Sequence, residues 1–153
     1  MSQPSEENIE EIAQQLILQL NELRNAIQLV QGRSLAISSE LQEIRLAYET
    51  LSTIRKFSQS NVLASLDRQG YVFVKMHLAE SDRAIVRISR DLYALLPIEN
   101  AMNILSMYEK DLISELRETE AELKKLNELY EQLQKKLQEY LAILSQKERT
   151  TKK

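Results

Sequence analysis

The stretch Val62-Leu63-Ala64-Ser65-Leu66-Asp67-Arg68-Gln69-Gly70-Tyr71-Val72-Phe73-Val74-Lys75-Met76-His77-Leu78 decides the fold, together with Ala84-Ile85-Val86-Arg87-Ile88 and Leu92-Tyr93-Ala94-Leu95-Leu96 just after it. These short runs are rich in β-branched and aromatic residues, the composition of strands. Asp67-Arg68-Gln69-Gly70 is a four-residue loop ending in glycine, so Val62–Leu66 and Tyr71–Leu78 read as a β-hairpin. Ala84–Ile88 and Leu92–Leu96 form a second hairpin around Ser89-Arg90-Asp91, with Glu80-Ser81-Asp82 turning between the two. In the second strand Val72, Val74, Met76 and Leu78 share one face, and Tyr71, Phe73, Lys75 and His77 the other. Four short strands cannot close a core, and their edges carry unpaired backbone groups, so the insert reads as an oligomerisation module. Its candidate contact residues are Val62, Leu66, Val72, Val74, Met76, Ile85, Val86, Ile88, Leu92 and Ala94.

On either side the period changes to that of a coiled coil. Before the insert, 4-3 spacing picks out Ile9, Ala13, Leu16, Leu20, Leu23, Ile27, Val30, Ser34, Ile37, Leu41, Ile44, Tyr48 and Leu51, all apolar except Ser34. Ser5 is the expected N-cap, with Glu6 and Glu7 placed against the helix dipole, and Ser58-Gln59-Ser60-Asn61 ends the pattern. Gly32, one turn from Ser34, marks a local weakness of about 1 kcal/mol in helix propensity. After the insert, Pro97 is expected at the first helical position. The seam then runs Ile98, Met102, Leu105, Glu109, Leu112, Leu116, Thr119, Leu123, Leu126, Tyr130, Leu133, Leu137, Tyr140 and Leu144, with Glu109 and Thr119 its polar members. Two matched helices, each about 70 Å long, flanking one insert predict an antiparallel pair.

The fold class is therefore mainly α with a small β insert: a long antiparallel coiled-coil hairpin with two β-hairpins at its closed end. The 153 residues read as one domain, with helices over residues 5–56 and 98–147, hairpins over 57–97 and a disordered tail over 148–153.

Composition excludes several classes of function. There is no cysteine, hence no disulfide, thiolate metal site or thiol catalysis, and only two glycines and two prolines interrupt the chain. The net charge of −3 is spread along the chain without the concentrated positive patch of a nucleic-acid reader. No apolar run is long enough to cross a membrane, and the acidic beginning has no secretory h-region, so a cytoplasmic protein is expected. His77 stands alone and is read as a strand residue rather than a ligand, and no cofactor or catalytic residue is expected.

The insert also resembles a known family. Val62 through Lys75, Asp82-Arg83-Ala84-Ile85-Val86-Arg87-Ile88, Leu92-Tyr93-Ala94 and Ile98-Glu99-Asn100-Ala101-Met102-Asn103-Ile104-Leu105 are similar to the archaeal-type alpha-class prefoldin subunit, which carries two hairpins between coiled-coil helices. The chain departs from it in the first turn, with one glycine where the family is often glycine-rich, and in Ser89-Arg90-Asp91, which has none. The resemblance implies a hexamer of two alpha and four beta-class subunits whose hairpins form an intersubunit β-barrel. It also implies an ATP-independent chaperone that grips non-native polypeptides at its coiled-coil tips and passes them to a group II chaperonin.

Apolar residues near the open end that lie off the seam are the candidate grip: Ile12, Ile17, Leu141 and Ile143, joined by seam residues Ile9, Leu16 and Leu144 where the coil frays. The structural alternative is that they only widen the apolar stripe. The competing function is a structural or adaptor coiled coil whose ends bind one folded partner.

Overall fold

A computed structural model describes residues 6–57 and 61–151. The elements run α1 (Glu6–Phe57), β1 (Asn61–Ser65), β2 (Phe73–His77), β3 (Arg83–Ser89), β4 (Leu92–Pro97) and α2 (Ile98–Thr151). Two long helices flanking two antiparallel hairpins are thus observed as expected. The Ser5 cap and the helix-ending Ser58, Gln59 and Ser60 lie outside the described residues. α2 reaches Thr151, where a disordered tail was expected from residue 148; its closing residues include Gln146, Lys147 and Glu148 with no glycine or proline, so nothing local stops the helix. Pro97 is the last residue of β4, opposite Arg83, and so stands just before α2 rather than at its first helical position; α2 begins at Ile98, the bound read from the sequence.

The chain divides into two compact units, Met1–Ile37 with Glu115–Lys153, and Ser38–Ser114. In the first unit the helices are antiparallel, because Arg24 Nη2 donates to Tyr130 Oη at 3.1 Å while the later Arg33 donates to the earlier Glu115 at 2.9 Å. Ile9, Ala13, Leu16, Leu20, Val30 and Ile37 are buried, as the 4-3 spacing requires. Opposite them Leu123, Leu126, Tyr130, Leu133, Leu137, Tyr140 and Leu144 are half-buried, as befits a core one helix thick. Thr119 is the only buried polar side chain among the described residues, and its hydroxyl donates to the Glu115 carbonyl at 2.8 Å.

The second unit repeats the antiparallel order, with Arg45 Nε donating to Glu109 at 2.6 Å and Arg55 to Glu99 at 3.2 Å. This explains the polar Glu109 on the seam: it turns outward to a cation on α1. Leu41, Val86, Ile98, Ala101, Met102 and Leu105 form the buried core. Tyr48, expected on the seam, is exposed, since its long phenol reaches water that an aliphatic side chain would not.

Candidate functional site

The first hairpin pairs Val62 with Met76 and Ala64 with Val74 on one face, and Leu63 with Lys75 and Ser65 with Phe73 on the other. Its ladder continues one step past the strands, where Leu66 N–H donates to the Val72 carbonyl at 2.9 Å. Asp67 organises the turn. Its Oδ1 accepts from Gln69 N–H at 2.9 Å, both oxygens meet Tyr71 N–H at 3.0 and 3.1 Å, and Oδ2 accepts from Val72 N–H at 3.0 Å. Ser65 Oγ donates to the Asp67 carbonyl at 2.6 Å. The Tyr71 N–H, above all, holds the Asp67 carboxyl below its ordinary value; desolvation opposes it, while Val72, Gln69 and Gly70 N–H reinforce it. Gly70 closes the turn at φ 75°, a conformation that favours glycine, and the Phe73 ring lies 3.2 Å from where a Cβ would stand.

The second hairpin pairs Ala84 with Leu96 and Val86 with Ala94 on one face, and Ile85 with Leu95 and Arg87 with Tyr93 on the other. A bulge falls between Arg87 and Ser89, leaving Ile88 without a partner. The Tyr108 hydroxyl reaches both carbonyls at the bulge, Arg87 at 2.7 Å and Ile88 at 3.0 Å, and so fastens this hairpin to α2. Ile98 N–H donates to the Asp82 carbonyl at 2.9 Å and ties the helix start to the segment between the hairpins. A groove of about 440 Å³, open to solvent, lies between β3 and the helices, with Ile44, Val86, Leu105, Tyr108 and Leu112 on its walls.

The ten expected contact residues divide. Leu66, Val72, Met76, Ile85, Ile88 and Leu92 are exposed; Val62, Val74 and Ala94 are half-buried. Val86 differs from the rest: it is 6% exposed, buried in the core of its own chain. Alternation identifies two faces of a strand but not which of them the chain's own helices cover. Leu63, Tyr71, Phe73, Tyr93 and Leu95 were not singled out, and all are exposed. Eleven large apolar side chains are thus solvent-facing on the two hairpins: Leu63, Leu66, Tyr71, Val72, Phe73, Met76, Ile85, Ile88, Leu92, Tyr93 and Leu95. His77 is exposed and its Nδ1 lies 3.1 Å from Asn61 Oδ1 on the paired strand.

In the first unit, the start of α1 and the end of α2 carry the other candidate surface. Ile17, Leu141 and Ile143 are exposed, Ile12 and Leu144 half-buried, and Ile9 and Leu16 buried in the seam. Leu18, not singled out from its spacing, is 64% exposed beside Ile17. In the same unit the Glu115 carboxylate raises the pKa of Arg33, first through their hydrogen bond and then through charge. Among the described residues no group of three or more acidic or histidine side chains is placed to hold a metal, and no helix is long and apolar enough to cross a membrane.

The prefoldin subunit family model matches residues 23–142. A prefoldin subunit alpha of Metallosphaera sedula is 29% identical over 118 residues, which cover 77% of this chain and 81% of that one. Another, from Saccharolobus solfataricus, is 24% identical over 119 residues, covering 78% and 80%. Among solved structures, the cryo-EM structure of filamentous PFD from Methanocaldococcus jannaschii aligns with a TM-score of 0.53 at 22% identity, covering 80% of this chain and 95% of that one, a likeness of fold.

Proposed function

The chain belongs to the prefoldin subunit family, and from that premise we propose that it is an alpha-class subunit of a cytoplasmic hexamer that holds non-native polypeptides without ATP and without catalysis. The observation that carries the assembly is the set of eleven large apolar side chains exposed on the two hairpins. A ribbon of two strands gains too little from its own contacts to leave such surface in water, so neighbouring subunits cover it. Two alpha and four beta-class chains, with their hairpins closed into a β-barrel, satisfy the free strand edges as well.

Clients are gripped at the other candidate surface. Ile17, Leu141 and Ile143 offer apolar area without a fixed shape, and Ile12 and Leu144 extend it. Ile9 and Leu16 are buried and join when the helix ends separate. Such a surface binds chains that have no defined fold, and a group II chaperonin receives them.

Native mass spectrometry of the complex recovered with this chain from its own cells tests the assembly. Two copies with four of a shorter, one-hairpin chain are expected. A complex with one unrelated folded protein would establish an adaptor instead. The grip is tested by changing Ile12, Ile17, Leu141 and Ile143 together to Ser, which is expected to abolish suppression of client aggregation in an intact hexamer.

A further inference from the structure

The two hairpins are held very differently by their own chain. The second has Val86 buried in the core and its bulge fastened by Tyr108. The first has no buried residue in either strand: Val62, Ala64 and Val74 are half-buried and the rest exposed. A two-stranded ribbon with so little covering it is marginal in water. Its tip is nevertheless fixed, and by one side chain. The Asp67 carboxylate takes up three backbone donors of the turn, from Gln69, Tyr71 and Val72, at 2.9 to 3.1 Å. Two of those donors belong to residues whose side chains stand in solvent, Tyr71 at 80% and Val72 at 52% exposure, and the Leu66 N–H bond to Val72 adds Leu66 at 65%. Gly70 at φ 75°, under the Phe73 ring, makes the turn tight.

We propose that Asp67 is a positioning residue for assembly: its carboxylate locks the tip of the first hairpin so that Leu66, Tyr71 and Val72 are held exposed around it as a preformed apolar plug for the strands of a neighbouring prefoldin-type subunit. The inference rests on the reading that the hairpins carry assembly. A glycine-poor turn would otherwise have to be ordered at the moment of contact, and fixing it beforehand lowers the cost of association. The occupant is a hairpin of another subunit because the plug continues a ladder with free edges, which an added strand completes.

The test uses the full chain with Asp67→Ala, Asp67→Asn and a control, Leu63→Ser with Met76→Ser, which changes exposed strand side chains while leaving the carboxylate, its donors and the Phe73 ring in place. Far-UV circular dichroism first establishes that the helices are intact in each. In the isolated chain, hydrogen exchange at Tyr71 and Val72 is expected to speed up by about tenfold in Asp67→Ala, the loss of a charge-assisted bond. Asp67→Asn, which keeps one acceptor oxygen, is expected in between. Complexes recovered with the variants should dissociate on dilution in the same order. Unchanged exchange in Asp67→Ala overturns the proposal. So does faster exchange with wild-type dissociation, provided the control complex is weakened. A control that assembles normally removes the premise that this hairpin carries assembly, and the proposal falls with it.

Discussion

Replacing Thr119 by Val is expected to leave the stability of the chain nearly unchanged. Thr119 is 1% exposed on the seam of α2, and its hydroxyl donates to the Glu115 carbonyl at 2.8 Å. That carbonyl lies four residues back, so it also accepts the Thr119 N–H in the helix ladder, and losing the hydroxyl strands no acceptor. The hydrogen bond lost is worth about 1 kcal/mol net. That net value already contains the desolvation of the hydroxyl, and against it stands the added burial of a methyl, about 0.8 kcal/mol. Both side chains are β-branched, so the χ1 restriction in the helix is similar. The two nearly cancel, to within about 0.5 kcal/mol. Thr119→Ala, which removes the methyl as well, is expected to lose about 1 kcal/mol. Urea unfolding at one fixed protein concentration measures both, since association shifts apparent stability. A Val variant less stable than the parent by more than about 1 kcal/mol would refute the reasoning: it would mean that the hydroxyl holds a second partner.

Gly32→Ala should raise stability by about 1 kcal/mol in the same assay, because the site is helical and exposed and an added Cβ meets nothing within 4 Å. Leu105→Ala, in the core beneath Val86, is expected to cost about 2–3 kcal/mol, with a matching fall in the urea midpoint. Tyr108→Phe removes the hydroxyl that reaches Arg87 and Ile88, and about 1 kcal/mol with it; exchange at the second hairpin should quicken while the first is unaffected. The Asp67 carboxyl is depressed in the folded chain, so its contribution is present above the ordinary carboxylate pKa and lost as pH falls through the lower folded value. Amide exchange at Val72 should therefore differ between parent and Asp67→Asn at neutral pH and converge in strong acid.

The helices were legible because a 4-3 repeat has one meaning over so many turns. Each expected seam position of α2 is buried or half-buried, and so is each on α1 except Tyr48. The hairpins were legible as hairpins, with strand ends within two residues of those read from composition. The use of their faces was not. Val86 and Ile85 are neighbours of similar apolarity, and only the folded chain separates them, with Val86 at 6% exposure and Ile85 at 72%. Asp67 was passed over as a loop residue. An aspartate opening a tight turn is itself a signal, since its carboxylate reaches N–H groups two residues onward, and that signal was available.

The bulge at Ile88 has a consequence for how far assembly can run. β3 offers an incoming strand a regular ladder only from Arg83 to Arg87 before the extra residue throws the register out of step. β4 ends in Pro97, which has no N–H to give. Both margins of the second hairpin are therefore blunted at opposite ends of the same five residue pairs. A strand laid along either margin would find a short seat with a stop at one end, which makes the second hairpin a poor template for an open β-ribbon.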